Sequence, residues 1–232
     1  MPDPDADPPG TDVLRTREGV TLVGGAPVGT RILAEALRRA PVLVAADGGA
    51  DACLAAGRTP ERVVGDLDSA SPAARAAFAD RTIHVAEQDS TDFAKALRHL
   101  DAPFVLGIGF LGARIDHALA AFSHMAARGA GAAPVVLLSD HDCAALVPAA
   151  LTLALEAGDR VSLWPLGEAR LRSEGLRWPL GGLALRPDGQ VGTSNLAEGP
   201  VRLSCDGPCL ILLDPARLDA LLAGLGFPRG GG

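Results

Sequence analysis

The chain has 232 residues, of which 48% are apolar, so it is long enough to bury one large core or two smaller ones. Its 21 basic and 28 acidic residues give a net charge of −7 without any basic cluster, which argues against a nucleic-acid partner. No apolar run reaches the roughly 20 residues of a membrane span, and the opening MPDPDADPPGTD lacks a signal-peptide pattern. We therefore expect a cytoplasmic globular protein whose acidic, proline-rich tail is disordered over residues 1–16.

Residues 17–147 alternate short apolar runs with helical patterns, which is typical of a mostly parallel sheet flanked by helices. The predicted strands are VTLVGG (20–25), VLVAADGG (42–49), VVGDLDS (63–69), TIHVAE (82–87), FVLGIG (104–109) and VVLLSD (135–140). The predicted helices are RILAEALRRA (31–40), ADACLAAG (50–57), PAARAAFAD (72–80), TDFAKALRHL (91–100) and DHALAAFSHMAAR (116–128). Several strands end in glycine or aspartate, at the sheet edge where open α/β folds bind ligands.

From residue 148 the pattern changes to short alternating segments separated by turn residues. This pattern predicts an antiparallel β-sandwich domain over residues 148–227, in which PARLDALLAGLG (215–226) forms a closing helix. Residues 228–232 are expected to fray. The four cysteines show no metal-binding spacing, and we interpret them as free thiols.

The first chemical signal is GDLDS (65–69), which places Asp66 and Asp68 directly after an apolar run. If the extended geometry continues, residues two apart point to the same side and the two carboxylates converge. Two carboxylates so close repel each other unless a cation binds between them, and Mg²⁺ prefers carboxylate oxygens. Taken alone, the pattern fits a solvated turn better than a metal site.

A second signal lies in STDFAKAL (90–97), where Asp92 occupies the first turn of a helix and Lys95 follows one turn later. An ordinary capped helix with one ion pair explains Asp92. It leaves unexplained that Lys95 is the only lysine of the chain.

A third signal is GIGFLGARIDH (107–117), where a strand enters a glycine-containing loop before a helix. Glycines such as Gly109 let backbone amides approach phosphate oxygens, and Arg114 can bind phosphate through two hydrogen bonds. Asp116 could equally be a helix cap. The chain lacks the P-loop pattern GxxxxGK[ST], so phosphate chemistry here would depend on acid-bound metal and backbone amides.

Together these motifs resemble a known family. DGGA (47–50), GDLDS (65–69), QDSTDFAKAL (88–97) and RIDH (114–117) are similar, in order and spacing, to the motifs of thiamine pyrophosphokinase. VSLWPLG (161–167), GLRWPL (175–180) and VGTSN (191–195) resemble its thiamine-binding sandwich. The resemblance implies transfer of the pyrophosphoryl group of ATP to the thiamine hydroxyl, with Mg²⁺, giving thiamine diphosphate and AMP.

The resemblance also implies roles for particular residues. Catalytic roles fall to Asp66, Asp68, Asp92 and Asp116, with Asp66, Asp68 and Asp92 as metal ligands. The nucleotide side would be lined by Gly25, Asp47, Gly48, Gly49, Ser69, Gln88, Lys95, Gly109 and Arg114. Thiamine would bind Trp178, Ser194 and Asn195, whereas Trp164 is assigned to the core. Which carboxylate accepts the hydroxyl proton stays open.

The family's thiamine site is a seam between two subunits, which implies a homodimer. Two positions depart from the family pattern: Ala113 replaces a common glycine, and Ala121 replaces a common asparagine. Two other functions compete with the kinase. A phosphatase of the haloacid dehalogenase type would use the DxD motif, but it would carry that motif on its first strand. A thiamine-binding protein without catalysis would have no need of all four acidic motifs.

Overall fold

The computed structural model describes residues 13–87, 89–129 and 131–227. The strands are β1 (Leu14–Arg15), β2 (Val20–Val23), β3 (Val42–Ala46), β4 (Arg62–Gly65), β5 (Thr82–His84), β6 (Leu100–Asp101), β7 (Val105–Ile108), β8 (Val135–Leu138), β9 (Cys143–Leu146), β10 (Ala150–Leu153), β11 (Arg160–Pro165), β12 (Ala169–Leu176), β13 (Gly181–Leu185), β14 (Gly192–Asp206) and β15 (Cys209–Leu213). The helices are α1 (Thr30–Arg39), α2 (Gly49–Ala55), α3 (Pro72–Ala77), α4 (Asp92–Arg98), α5 (Ile115–Ala127) and α6 (Leu218–Gly224), with short 3₁₀ turns at Ala79–Arg81 and Pro215–Arg217.

The first half of the chain forms a parallel sheet in the order β5-β4-β3-β2-β7-β8. Strands β2, β7 and β8 are buried at every residue, because helices cover both faces of the sheet. On one face, Ile32 of α1 and Cys53 of α2 belong to the same apolar cluster as Val23. On the other face, Phe93 of α4 and Met125 of α5 pack in a second cluster.

The sheet continues without interruption into the second half of the chain. β9 pairs antiparallel with β8 and with β15, which in turn pairs with β11. The long strand β14 pairs with β11 near its start and with β10 and β12 further along, so it passes from one layer to the other. The mixed α/β fold with a C-terminal antiparallel region is thereby confirmed.

The structure differs from the sequence expectations at three places. Residues 14 and 15, predicted to be disordered, form β1, which pairs in parallel with β6; residues 1–12 and 228–232 lie outside the described part. The antiparallel pairing begins at Cys143, five residues before the predicted boundary at 148. Trp164 is 39% exposed on the outer side of β11 and is therefore not a core residue.

Two other expectations concern thiols and membranes. All four cysteines are buried free thiols, as predicted. No helix within the described ranges is long and apolar enough to cross a bilayer.

Candidate functional site at the carboxyl edge of the parallel sheet

The carboxyl ends of β2, β3 and β4 lie side by side, and each is followed by a loop rich in glycine or aspartate. A Cβ atom on Gly49 would lie 2.0 Å from the carbonyl oxygen of Val23, so only glycine lets α2 start this close to β2. The preceding Asp47 has a left-handed φ of 43° and donates its N–H to the carbonyl of Val64 at 2.9 Å. The end of β3 is thereby held against the end of β4, where the GDLDS segment begins.

Three carboxylates converge at this point. One oxygen from each of Asp47, Asp66 and Asp68 lies within 4.8 Å of the other two. The convergence does not come from an extended strand as expected, because β4 ends at Gly65 and Leu67 has a left-handed φ of 64°. The N–H of Asp68 donates to Oδ1 of Asp66 at 3.2 Å. The GDLDS segment is thus a turn, and the turn itself brings the two carboxylates together.

The Asp47 carboxylate is the most deeply buried of the three, with a residue exposure of 2%. Its Oδ2 accepts a hydrogen bond from the N–H of Ser69 at 3.3 Å, but its Oδ1 is buried without a partner within residues 13–87, 89–129 and 131–227. Burial, and then the charge of Asp92, raise the pKa of Asp47 against the lowering effect of the Ser69 bonds. An orphaned, electronegative oxygen beside two further carboxylates fits a divalent cation such as Mg²⁺.

Lys95 connects this cluster to Asp92. Its Nζ lies 3.1 Å from Oδ2 of Asp66 and 3.3 Å from Oδ1 of Asp92, while the residue is 2% exposed. Burial alone would lower the pKa of Lys95, yet the hydrogen bond to Asp66 and the charge of Asp92 raise it overall. The Thr91 hydroxyl caps α4 by accepting the N–H of Ala94 at 3.3 Å, which places Asp92 and Lys95 on one face of the helix.

The three clustered carboxylates differ from the predicted metal set of Asp66, Asp68 and Asp92. Asp47, assigned to the nucleotide side from the sequence, is the third carboxylate of the cluster. Among the described residues, Asp92 reaches the cluster only through Lys95 and through its charge. The available signal was that Asp47, like Asp66, directly follows the apolar run of a predicted strand.

Among the glycines predicted to line the nucleotide, some lie at the sheet edge and one packs a loop. Gly25 and Gly48 approach each other and Ser69 at the edge, since a Cβ on Gly48 would lie 3.7 Å from the Gly25 Cα and 3.4 Å from the Ser69 oxygen. Gly109, at φ 74°, would bring a Cβ within 2.6 Å of the Gly24 oxygen and so serves loop packing. Gln88 lies outside the described residues.

Arg114 and Asp116 lie at the start of α5 and are paired with each other. The Arg114 Nε lies 3.1 Å from Oδ1 of Asp116, and both side chains are mostly exposed. The guanidinium hydrogen bond holds the pKa of Asp116 below its usual value. Neither residue contacts the carboxylate cluster in the described part of the chain. Ala121, one of the departures from the family pattern, is buried on the inner side of the same helix.

The predicted thiamine residues lie together in the antiparallel half. The Asn195 Nδ2 donates to the carbonyl of Trp178 at 2.7 Å, and its Oδ1 accepts the N–H groups of Trp178 at 3.2 Å and of Leu196 at 2.8 Å. Asn195 is buried, whereas Trp178 is 56% exposed as a residue. Ser194 is exposed at a left-handed φ of 61°, and its N–H donates to the Ser162 hydroxyl at 3.0 Å. The Asn195 amide is therefore used to hold the turn that presents Trp178.

Two protein-family models match this chain, one in each half. Residues 33–136 match the model "Thiamin pyrophosphokinase, catalytic domain", and residues 151–210 match "Thiamin pyrophosphokinase, vitamin B1 binding domain". The chain belongs to the thiamin pyrophosphokinase family. The catalytic match contains Asp47, Asp66, Asp68 and Lys95, and the vitamin match contains Trp178 and Asn195. A search of curated proteins finds no significant match.

Solved thiamin pyrophosphokinases share the fold. The Candida albicans enzyme superposes with a TM-score of 0.75 at 15% identity, covering 90% of this chain and 95% of that one. The yeast enzyme gives a TM-score of 0.73 at 16% identity, with 90% of each chain covered. The Bacillus subtilis enzyme gives 0.70 at 20% identity, covering 85% of this chain and 98% of the other. The similarity therefore spans both halves of the chain.

Proposed function

We propose that this protein transfers the pyrophosphoryl group of ATP to the hydroxyl of thiamine, giving thiamine diphosphate and AMP. The observation that carries the proposal is the cluster of Asp47, Asp66 and Asp68, linked through Lys95 to Asp92, in the segment that matches the family's catalytic domain. Transfer of a charged phosphoryl group depends mainly on positioning and on neutralising negative charge, and this sheet edge supplies groups for both.

The donor set supports Mg²⁺ as the cofactor. Asp47, Asp66 and Asp68 would hold the ion, because their oxygens converge and the Asp47 Oδ1 has no other partner in the described chain. When bound there, Mg²⁺ would supply positive charge that neutralises phosphate oxygens. Without a cation, the four carboxylates of this edge outnumber the single Lys95 ammonium, so the site would repel ATP rather than bind it.

The protein's own groups have separate tasks in this proposal. Lys95 fixes the side chains of Asp66 and Asp92 by hydrogen bonds to both. Asp68 is exposed, and the side chain of Asp92 is 37% exposed, so these two carboxylates are open to an incoming hydroxyl group. Arg114, also exposed, is available to bind a phosphate oxygen once it exchanges its contact with Asp116.

Trp178 is the proposed platform for thiamine, which is a cationic heteroaromatic molecule. Exposed indole rings attract cations through their faces, and the Arg177 guanidinium carbon already lies 5.8 Å from the Trp178 ring centroid. Ser194 offers an exposed hydroxyl beside the ring's turn. Asn195 acts indirectly, by holding the backbone of Trp178, since its Oδ1 already accepts two N–H groups.

Within one chain, the two halves of the proposed site are far apart in the strand order. β14, which holds Trp178 through Asn195, is separated from β4 by eight strand-to-strand steps in the sheet order. At about 4.8 Å for each step, the path along the sheet between them is on the order of 38 Å. One thiamine molecule does not span that distance. This supports a homodimer in which Trp178 of one subunit faces the carboxylates of the other.

The activity is tested by incubating the protein with ATP, Mg²⁺ and thiamine and measuring AMP and thiamine diphosphate. We expect AMP formation to depend on thiamine and to stop in Asp68→Asn, whereas Asp80→Asn, an exposed acid on a 3₁₀ turn, keeps wild-type activity. Phosphate release without thiamine would instead indicate a phosphatase. Thiamine binding without AMP formation would indicate a binding protein. Either result refutes the proposed transfer.

The shared site has its own test, which is subunit complementation. Asp68→Asn and Trp178→Ala homodimers should each be inactive or weak at low thiamine. Mixed dimers contain one site with both native residues, so an equal mixture should recover roughly a quarter of wild-type activity. A mixture that stays as inactive as its parents, although subunits exchange, would place both residues in one subunit's site.

A further inference from the structure

A second concave region lies at the opposite edge of the parallel sheet. It is a cavity of about 490 Å³, bounded by the end of α5, the start of β8, the end of β9 and the turn after β14. The carboxylate cluster follows the carboxyl ends of the strands, whereas this cavity is lined by Pro134 and Val135 at the amino end of β8. Its size lies within the roughly 300–1,000 Å³ of small-molecule sites. The proposed transfer makes no use of it.

Arg128 gives the cavity its chemical character. Arg128 lines the cavity, and in the described chain its side chain has no ion pair or hydrogen bond; its Nε is buried without an acceptor. Burial lowers the pKa of Arg128, but a guanidinium remains protonated at neutral pH. A half-buried cation without a protein anion is costly, because it loses water without gaining a partner. Such a group is satisfied when an anion binds beside it.

The remaining lining limits which anion fits. Much of the wall is apolar, with Met125, Val147 and Leu225 among the side chains that form it. Asp206 is the one carboxylate among the described lining residues, and no salt bridge joins it to Arg128. A di- or triphosphate would therefore meet a single guanidinium, an apolar wall and a repelling acid. A single carboxylate matches the planar fork of the guanidinium, and a hydrocarbon body matches the wall.

We propose that this cavity binds a small monocarboxylate with an apolar body, whose carboxylate pairs with Arg128. The occupant would contact the last turn of α5, the helix whose first turn follows Arg114 at the candidate active site. The 13 residues of α5 span about 20 Å, so the two sites lie at the two ends of one helix. The ligand would thus hold the far end of a helix that also borders the catalytic edge.

The test is a calorimetric titration of the full-length protein, without nucleotide or Mg²⁺, using phenylacetate and 4-methylpentanoate as probes. The uncharged amide of each acid serves as a matched control. We expect binding of one acid per chain, at least about tenfold tighter than its amide, because hydrogen bonds to charged groups are the stronger ones. Arg128→Gln should abolish that difference, and Arg58→Gln, an exposed arginine outside the cavity, should preserve it.

A second variant tests whether the acid binds in this cavity, without changing the charge of the protein. Ala149 is an exposed lining residue at the cavity, so Ala149→Phe should fill its mouth and weaken binding of acid and amide alike. This variant also decides the question if Arg128→Gln fails to fold. Failure of both acids to bind, equal affinity for acid and amide, or unchanged binding in either cavity variant would overturn the proposal. These outcomes are independent of AMP formation, so they leave the proposed transfer to its own test.

Discussion

Replacement of Lys95 by methionine tests the electrostatic account of the candidate site. The Lys95 ammonium is the cation that contacts both Asp66 and Asp92, and methionine keeps most of its length and apolar stem. At 3.1 Å and an effective dielectric constant of about 20, the attraction to Asp66 alone is about 5 kcal/mol before desolvation is counted. The side chain of Asp92 is more than a third exposed, so its contribution is largely screened and is left out.

Removal of one partner from a buried ion pair costs about 3–5 kcal/mol, since the other charge stays behind. The side chains of Lys95 and Asp66 are only 3% and 13% exposed, so this range applies to Lys95→Met. For a chain of this length, that loss lowers the Tm by roughly 6–20 °C. Mg²⁺ should recover part of the loss, because it supplies the positive charge that Lys95 provided.

The assay is urea unfolding of the wild type, Lys95→Met, Asp66→Asn and the double variant, each with EDTA and with Mg²⁺. In EDTA, the double variant should be more stable than Lys95→Met, because it no longer buries the Asp66 charge. A loss below about 1 kcal/mol in Lys95→Met, or a double variant less stable than the single one in EDTA, would refute the reasoning.

Three further predictions concern other parts of the chain. Asparagine tolerates the left-handed backbone at position 47, and Asp47→Asn removes a buried negative charge whose Oδ1 has no partner in the described chain. The Tm of this variant in EDTA should therefore exceed that of the wild type, while the increase in Tm on adding Mg²⁺ should be smaller. An increase equal to that of the wild type would exclude Asp47 as a ligand. The hydrogen bond from Ser90, outweighing burial and aided by Arg98, lowers the pKa of Glu87 from 4.5 to about 2. The stability that the Glu87 carboxylate contributes is therefore present above pH 4.5 and is lost as the pH falls toward 2. The difference in Tm between the wild type and Glu87→Gln should narrow over that interval. A difference that stays constant would contradict this prediction. Asn195→Ala should raise the KM for thiamine but not for ATP, because it loosens the turn of Trp178, and steady-state kinetics with both substrates checks this.

Much of the parallel half was predictable from the sequence because its strands are short apolar runs and its helices carry regular apolar spacing. Strand β9 (CAAL) was missed, since alanine has little preference for strands and the segment becomes one only by pairing with β8 and β15. The two-residue strands β1 and β6 were missed because each depends wholly on its distant partner. The outward orientation of Trp164 follows from strand register, which hydrophobicity alone does not reveal.

For the candidate site, the sequence identified the acidic residues but not their grouping. Asp47 joins Asp66 because β3 lies beside β4 in the sheet, and strand order is a property of the whole fold. The solvated turn and the metal site were weighed as alternatives for GDLDS, yet the same Asx-type turn that bonds Asp68 to Asp66 also gathers the carboxylates. Asn195 and Trp178 are 17 residues apart, so their hydrogen bonds could not be inferred from local pattern.

The strand ladder that runs from β8 through β9 and β15 to β11 makes the two halves of this chain mechanically one piece. A linker would let the vitamin-binding half swing on a hinge, but here a swing would break rows of backbone hydrogen bonds. Closure around a substrate must therefore come from the loops at the carboxyl edge or from a second subunit. Excision of residues 148–227 would remove β15, expose the edge of β9 and invite pairing with other chains. We expect heat to unfold both halves in a single transition.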